Sequence, residues 1–164
     1  MPGSFRLRPA AQSDGVFLGD MVVEAANWRP DAARPRHEVL ASADHAHYIA
    51  GWMRPGDAGF VAVDEHEVPI GAAWYRVLPQ NAPGLGFVGT GVPELIIGVR
   101  PIWRAHGVGR ALLRELCRHA SAAGYARISL SVERANFAVM LYKSEGFAVT
   151  QPKQGRDVMV KRLR

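Results

Sequence analysis

The sequence predicts a mixed α/β fold: one sheet with helices on both faces. Three observations carry this expectation. Strand-length apolar segments and helix-length amphipathic segments alternate in the order strand, two helices, three strands, helix, strand, helix, two strands. Hydrophobic residues are 48% of the 164 and charged residues 21%, which suits one globular domain over residues 1–164 rather than a disordered chain. From Glu94 to Leu113, an apolar strand passes through a basic glycine turn into an amphipathic helix, as α/β units do.

Each element has its own local cause. Phe5 to Arg8 alternates as a strand does. Ser13 or Asp14 is a cap for a helix to about Ala26, with Val16, Met21, Val22 and Ala25 available to bury. Two prolines make Asn27 to Pro35 a loop, and a second helix is expected over residues 36 to 53, ended by Arg54-Pro55-Gly56. Phe60 to Val63 and Ile70 to Leu78 read as antiparallel neighbours, followed by a glycine- and proline-rich loop to Pro93 and a strand from Glu94 to Val99. The third helix starts near Gly107. Its stripe of Val108, Leu112, Leu116 and Ala120, thickened by Leu113 and Cys117, has helical spacing, and Gly124 closes it. Arg127 to Val132 alternates, Ala135 to Glu145 is a short helix stopped by Gly146, and Phe147 to Thr150 and Asp157 to Lys161 are the last strands.

Composition narrows the function classes. The net charge of +5 comes mostly from dispersed arginines, which fit a solvated surface or a polyanionic small ligand better than a nucleic-acid stripe. The single cysteine, Cys117, excludes an internal disulfide and a multi-cysteine metal site, and its place on the apolar stripe makes it a core residue. No signal-peptide layout and no bilayer-length apolar run are present, so a cytoplasmic protein without a membrane partner is expected. His45 and His47 stand two apart, which on a helix separates them, and no metal is expected. Trp28, Trp52 and Trp74 read as packing residues.

The chemistry concentrates in Arg104-Ala105-His106-Gly107-Val108-Gly109-Arg110. Two glycines let the backbone approach an anion, and the first helical turn aims free N–H groups at it. Arg100, Arg104 and Arg110 add charge. A ligand with a pyrophosphate is expected here. A second glycine string, Gly84-Leu85-Gly86-Phe87-Val88-Gly89, spells a dinucleotide fingerprint but leads into more loop instead of a helix, so it reads as a loop bordering the site.

Val99-Arg100-Pro101, the R-x-x-G-x-G turn, and Leu130-Ser131-Val132 through Asn136 to Leu141-Tyr142 and Gly146-Phe147 together resemble the GNAT superfamily of N-acetyltransferases over essentially the whole chain. The resemblance implies a mostly antiparallel sheet of six to seven strands, splayed into a V between the strands ending at Val99 and Val132. Acetyl-CoA would lie in the V. The backbone of Ile97, Gly98 and Val99 would pair with pantetheine, with Gly98 suited to a bulge. Residues Ala105 to Arg110 would hold the diphosphate and Asn136 the pantetheine arm. The implied reaction is attack of an amine on the thioester in a ternary complex. The Val99 N–H would stabilise the oxyanion and Tyr142 would protonate the thiolate. Glu94 is the first candidate for the base and Glu133 the second. The acceptor is a small-molecule or peptide amine, and a homodimer is possible; a non-catalytic acyl-CoA-binding module is the alternative. Two residues depart from the pattern. Phe137 stands where relatives often carry proline, and Ala105 where glycine is common, which is tolerable at negative φ.

Overall fold

The structure is a computed structural model that describes residues 3–163; residues 1, 2 and 164 of the expected domain lie outside the described residues. Seven strands form one sheet in the order β1-β2-β3-β4-β5-β7-β6: β1 (Phe5–Pro9), β2 (Ala58–Asp64), β3 (Pro69–Arg76), β4 (Glu94–Val99), β5 (Arg127–Glu133), β6 (Ala148–Lys153) and β7 (Arg156–Arg162). Neighbours are antiparallel except β4 and β5, which run parallel and pair only at Glu94 and Ser129. Beyond that pair the two strands part, so the expected V is present.

Helix α1 (Gly15–Ala26) and the short α2 (Arg36–Ala41) cover one face. Leu18, Met21, Val22 and Val39 are fully buried there against Val61, Ala72 and Trp74. Helix α3 (Val108–Ala122) and α4 (Ala138–Ser144) cover the other. The α3 stripe is buried as its spacing predicts, from Val108 through Ala120, against Ala73, Leu95, Ile128 and Leu130. Burying one such leucine contributes about 1.5–3 kcal/mol. Gly124 ends α3 at φ +100°, and the Tyr125 amide reaches back to the Ala120 carbonyl at 3.1 Å, as a left-handed cap requires. No described helix is long and apolar enough to cross a membrane.

Three local expectations are corrected. The helix expected over 36–53 stops at Ala41. Ser42 turns extended (ψ 136°) and its hydroxyl accepts from the Asp44 amide at 3.2 Å, so the chain continues as a turn and a 3-10 segment, Ala46–Tyr48. Asp14 does not cap α1 with its side chain; its carboxylate turns back to the Ala11 amide (2.7 Å) and the Arg8 guanidinium (2.8 and 2.9 Å). The β3–β4 register is continuous through Gly98, so no bulge forms there. Gly98 serves close packing instead: a Cβ would lie 2.4 Å from the Met21 carbonyl oxygen of α1.

Candidate active site

A cleft of about 1070 Å³ follows the parting of β4 and β5 and is open to both faces of the sheet. Its walls hold Trp28, His45 and Tyr48 on the α1 side, and Gly107, Asn136 and Tyr142 on the α3 side.

The register fixes what β4 offers. The Arg100 amide donates to the Ile70 carbonyl at 2.8 Å, and hydrogen-bonded pairs recur at every second residue of an antiparallel ladder. Gly98 and Ile96 therefore face β3. The main-chain groups of Ile97 and Val99 face the opening, where an extended ligand can pair with them as an added strand.

At the wide end of the V stands the glycine turn. Gly107 sits at φ +85° immediately before α3. Among the described residues, none of the N–H groups of 105 through 110 has a protein acceptor; the first amide to bond back is Ala111, to Gly107 at 3.1 Å. Six free donors at a helix start form a cradle for a diphosphate. Ala105 is held at φ +61°, so the expectation of negative φ is overturned: the turn needs a left-handed residue there and alanine accepts the strain.

Of the candidate site residues, Ile97, Gly98, Val99, Arg104, Ala105, Gly107, Gly109, Arg110, Asn136 and Tyr142 line the cleft. His106 and Val108 do not. The exposed His106 packs edge-on to Trp103 (6.2 Å) and Val108 is buried, leaving each only its amide to offer. Arg104 pairs with Glu24 at 3.4 Å. Arg110 is engaged by Ser144 (3.1 Å) and by Glu145, which also pairs with Arg114. Arg100 turns away from the turn, stacking on Phe17 at 5.2 Å and donating to the Pro69 carbonyl at 3.1 Å, so its charge is not directed at the glycine turn.

Asn136 is oriented by its own helix. Its Oδ1 accepts from the Ala138 amide at 2.9 Å, and its Nδ2 has no protein partner among the described residues. The Tyr142 ring is buried and packs on Phe147 at 5.9 Å. Burial pushes its hydroxyl well above the ordinary tyrosine range, which keeps it a proton donor. Burial likewise raises the Cys117 thiol to about 11, as a core residue should have.

Strand parity sends Glu94 to the α1 face, with Ile96 and Gly98. Its buried carboxylate accepts from the amides of Gly84 and Gly86, both at 3.1 Å, and from the Tyr48 hydroxyl at 3.4 Å. The second glycine string thus does cradle an anion, the chain's own Glu94. A Cβ at Gly84 would come within 2.3 Å of that carboxylate. Burial raises the Glu94 pKa, opposed by the two amides. Glu94 is not on the cleft wall; Tyr48, which is, stands between them. Glu133 does line the cleft, and the Trp28 indole donates to its carboxylate across the mouth.

Tyr48, Arg34 and Arg156 are among the cleft residues that sequence reasoning missed, and His45, read there only as a residue not expected to bind a metal, joins them. None lies in a motif. They meet only when the 3-10 segment, the loop after α1 and the start of β7 come together.

Residues 22–147 match the profile of the acetyltransferase (GNAT) family, and the chain belongs to that family. It is 34% identical over 150 residues to the mycothiol acetyltransferase of Nocardiopsis dassonvillei, covering 88% of this chain and 42% of that one. The corresponding protein of Saccharopolyspora erythraea is 31% identical, over 76% of this chain and 37% of its own. The chain therefore spans about two fifths of the length of these curated relatives. Among solved structures, the PaiA N-acetyltransferase of Thermoplasma acidophilum in complex with coenzyme A superposes with a TM-score of 0.73 at 16% identity, covering 98% of this chain and 99% of that one. YncA of Salmonella typhimurium, with acetyl-CoA, gives 0.66 at 23% identity, covering 99% and 95%.

Proposed function

We propose that the chain moves the acetyl group of acetyl-CoA to a primary amine by direct attack in a ternary complex. The observation that carries this reading is the run of six free amides at residues 105–110, placed at the wide end of a parted strand pair. The amides would hold the diphosphate, the edge of Ile97 and Val99 the pantetheine, and Asn136 Nδ2 its carbonyl groups. The thioester then lies between Val99 and Tyr142. The Val99 N–H faces it and is available to the developing oxyanion, and Tyr142 is the acid for the departing thiolate.

The acceptor enters from the α1 side. Its ammonium must lose a proton, and Glu94 receives it through the Tyr48 hydroxyl. A carboxylate raised by burial is a better base than an ordinary one. Glu133, tied to Trp28, borders the mouth.

The test is thiol release from acetyl-CoA with a panel of amines, run beside a coenzyme-induced rise in melting temperature. Release with at least one amine supports the reading. A melting shift with no release from any amine would leave a coenzyme-sensing module in its place.

A further inference from the structure

Among the described residues, Arg29, Arg34 and Arg156 line the α1 side of the cleft without a carboxylate partner; Arg29 is stacked on the Trp28 ring at 4.9 Å, and the other two guanidinium groups make no such contact. Arg156 opens β7 and stands directly opposite Glu133 in the β5–β7 ladder. Opposite residues of an antiparallel ladder share a face. Leu130 and Val132 pack under α3, so Ser131, Glu133 and Arg156 project toward α1. Arg156 is thus on the opposite face from the α3 turn and is not placed to serve the diphosphate.

Its geometry is prepared. The Nε donates to Ser131 Oγ at 2.7 Å, which fixes the plane of the half-buried guanidinium. Both terminal nitrogens have no protein acceptor among the described residues, and no carboxylate of those residues pairs with them. Arg34 reaches the same wall from the loop after α1. Its main chain is clamped by the Asn27 amide, which donates to its carbonyl at 2.8 Å and accepts from its N–H at 3.0 Å. Its guanidinium also has no hydrogen-bond or ion-pair partner among the described residues. Both arginines act on the His45 imidazole, which burial and their charge hold below its ordinary pKa. Among the described residues, the acidic groups on this wall form no ion pair with them. Glu133 is engaged by Trp28, and Asp44 is exposed beside His45.

We infer that the acceptor amine carries a carboxylate, held bidentately by Arg156 with Arg34 as the second cation, while its amino group points down the cleft toward Val99. This rests on the acetyl-transfer reading and names its substrate class. A planar fork with two idle donors matches a carboxylate, and two nearby cations disfavour a polyamine.

The experiment measures thiol release at saturating acetyl-CoA with α-amino acids, β-alanine and γ-aminobutyrate, their carboxamides, and putrescine and spermidine. The expected result is turnover of at least one carboxylate compound, with its amide poorer by roughly 10- to 100-fold in kcat/KM, carried by KM, the range for a hydrogen-bonded charge. Arg156→Gln should bring the carboxylate-to-amide ratio near unity without changing KM for acetyl-CoA. Arg156→Lys, keeping charge but not the fork, should recover part of it, and Arg34→Gln should lower it partly. A melting curve on each variant separates misfolding from lost recognition. Amides or polyamines used as well as carboxylates, or an Arg156→Gln ratio equal to the parent's, would overturn the inference while leaving acetyl transfer standing. If no amine releases thiol, calorimetry of the coenzyme A complex with alanine and β-alanine decides separately: heat abolished by Arg156→Gln supports the carboxylate site, and absence of heat overturns it.

Discussion

The Tyr48 hydroxyl donates to Glu94 Oε2 at 3.4 Å, joining a cleft-wall residue to a buried carboxylate that has no wall of its own. If the acceptor proton travels this way, activity needs ionised Glu94. Its pKa is raised above 4.5, so the ionised fraction is lost as pH falls through a value above the ordinary carboxylate range. Glu94→Gln should lower kcat by about 100-fold near neutrality. Its log rate should then climb with pH along the amine's own deprotonation. Tyr48→Phe should do the same while the Gly84 and Gly86 contacts to Glu94 stay in place. A pH–rate profile from pH 5 to 9.5 checks both; superimposable parent and mutant curves would remove Glu94 from the proton path.

Tyr142 is buried, neutral throughout the working range, and free of a protein hydrogen bond among the described residues. Tyr142→Phe keeps the ring packed on Phe147 and deletes only the donor. A fall in kcat of about 100-fold, with KM for acetyl-CoA within about threefold of the parent, is expected for a lost general acid. An unchanged kcat would assign thiolate protonation to water.

The contrast between α3 and the segment after α2 shows what the sequence could convey. The α3 stripe and its glycine stop are local periodic signals, and the helix forms where they say. Ser42 broke the second helix through a side-chain turn that apolar spacing does not register. The face taken by Glu94 depended on the register of β4 against β3, and Arg110 was claimed by Glu145, 35 residues away. Arg156 needed the β5–β7 ladder before its side could be named. Motifs pointed to the wall proposed to hold the coenzyme because it uses backbone from contiguous turns. The wall proposed to hold the acceptor is assembled from distant side chains and left no contiguous trace.

Ala105 at φ +61° costs about 1 kcal/mol that glycine would not incur. Ala105→Gly should therefore raise the melting temperature by roughly 2–4 °C for a chain of this size, with coenzyme affinity retained because the amide keeps its place. A lower melting temperature would mean that alanine's restriction of the unfolded chain outweighs the strain.

Gly107 combines φ +85° with open space where a Cβ would be, so a large side chain there is strained and projects from the cradle. Gly107→Glu adds a negative charge beside the proposed diphosphate site. Coenzyme A should bind at least about 100-fold more weakly, roughly 2.7 kcal/mol, measured by calorimetry. Near-parental affinity would place the diphosphate elsewhere.

Away from the cleft, Arg8 and Asp14 tie the end of β1 to the start of α1, the helix against which Gly98 packs. Arg8, more than burial, governs the Asp14 carboxyl and holds it below its ordinary 3.8, helped by the Ala11 amide. A carboxylate depressed in the folded state stabilises the protein fully above its unfolded pKa. That contribution decays as pH falls below about 3.9 and is gone below the folded value. The Asp14 carboxyl is 9% exposed and its partner 32%, so solvent screens part of the pair. Asp14→Asn should cost about 1–2 kcal/mol at pH 7, the lower part of the range for charged hydrogen bonds. Urea denaturation of parent and mutant at pH 7, 4 and 2.5 should show the gap constant down to pH 4 and closing below it. A gap that persists at pH 2.5 would trace the loss to altered packing at the β1–α1 junction, independent of the carboxylate's charge.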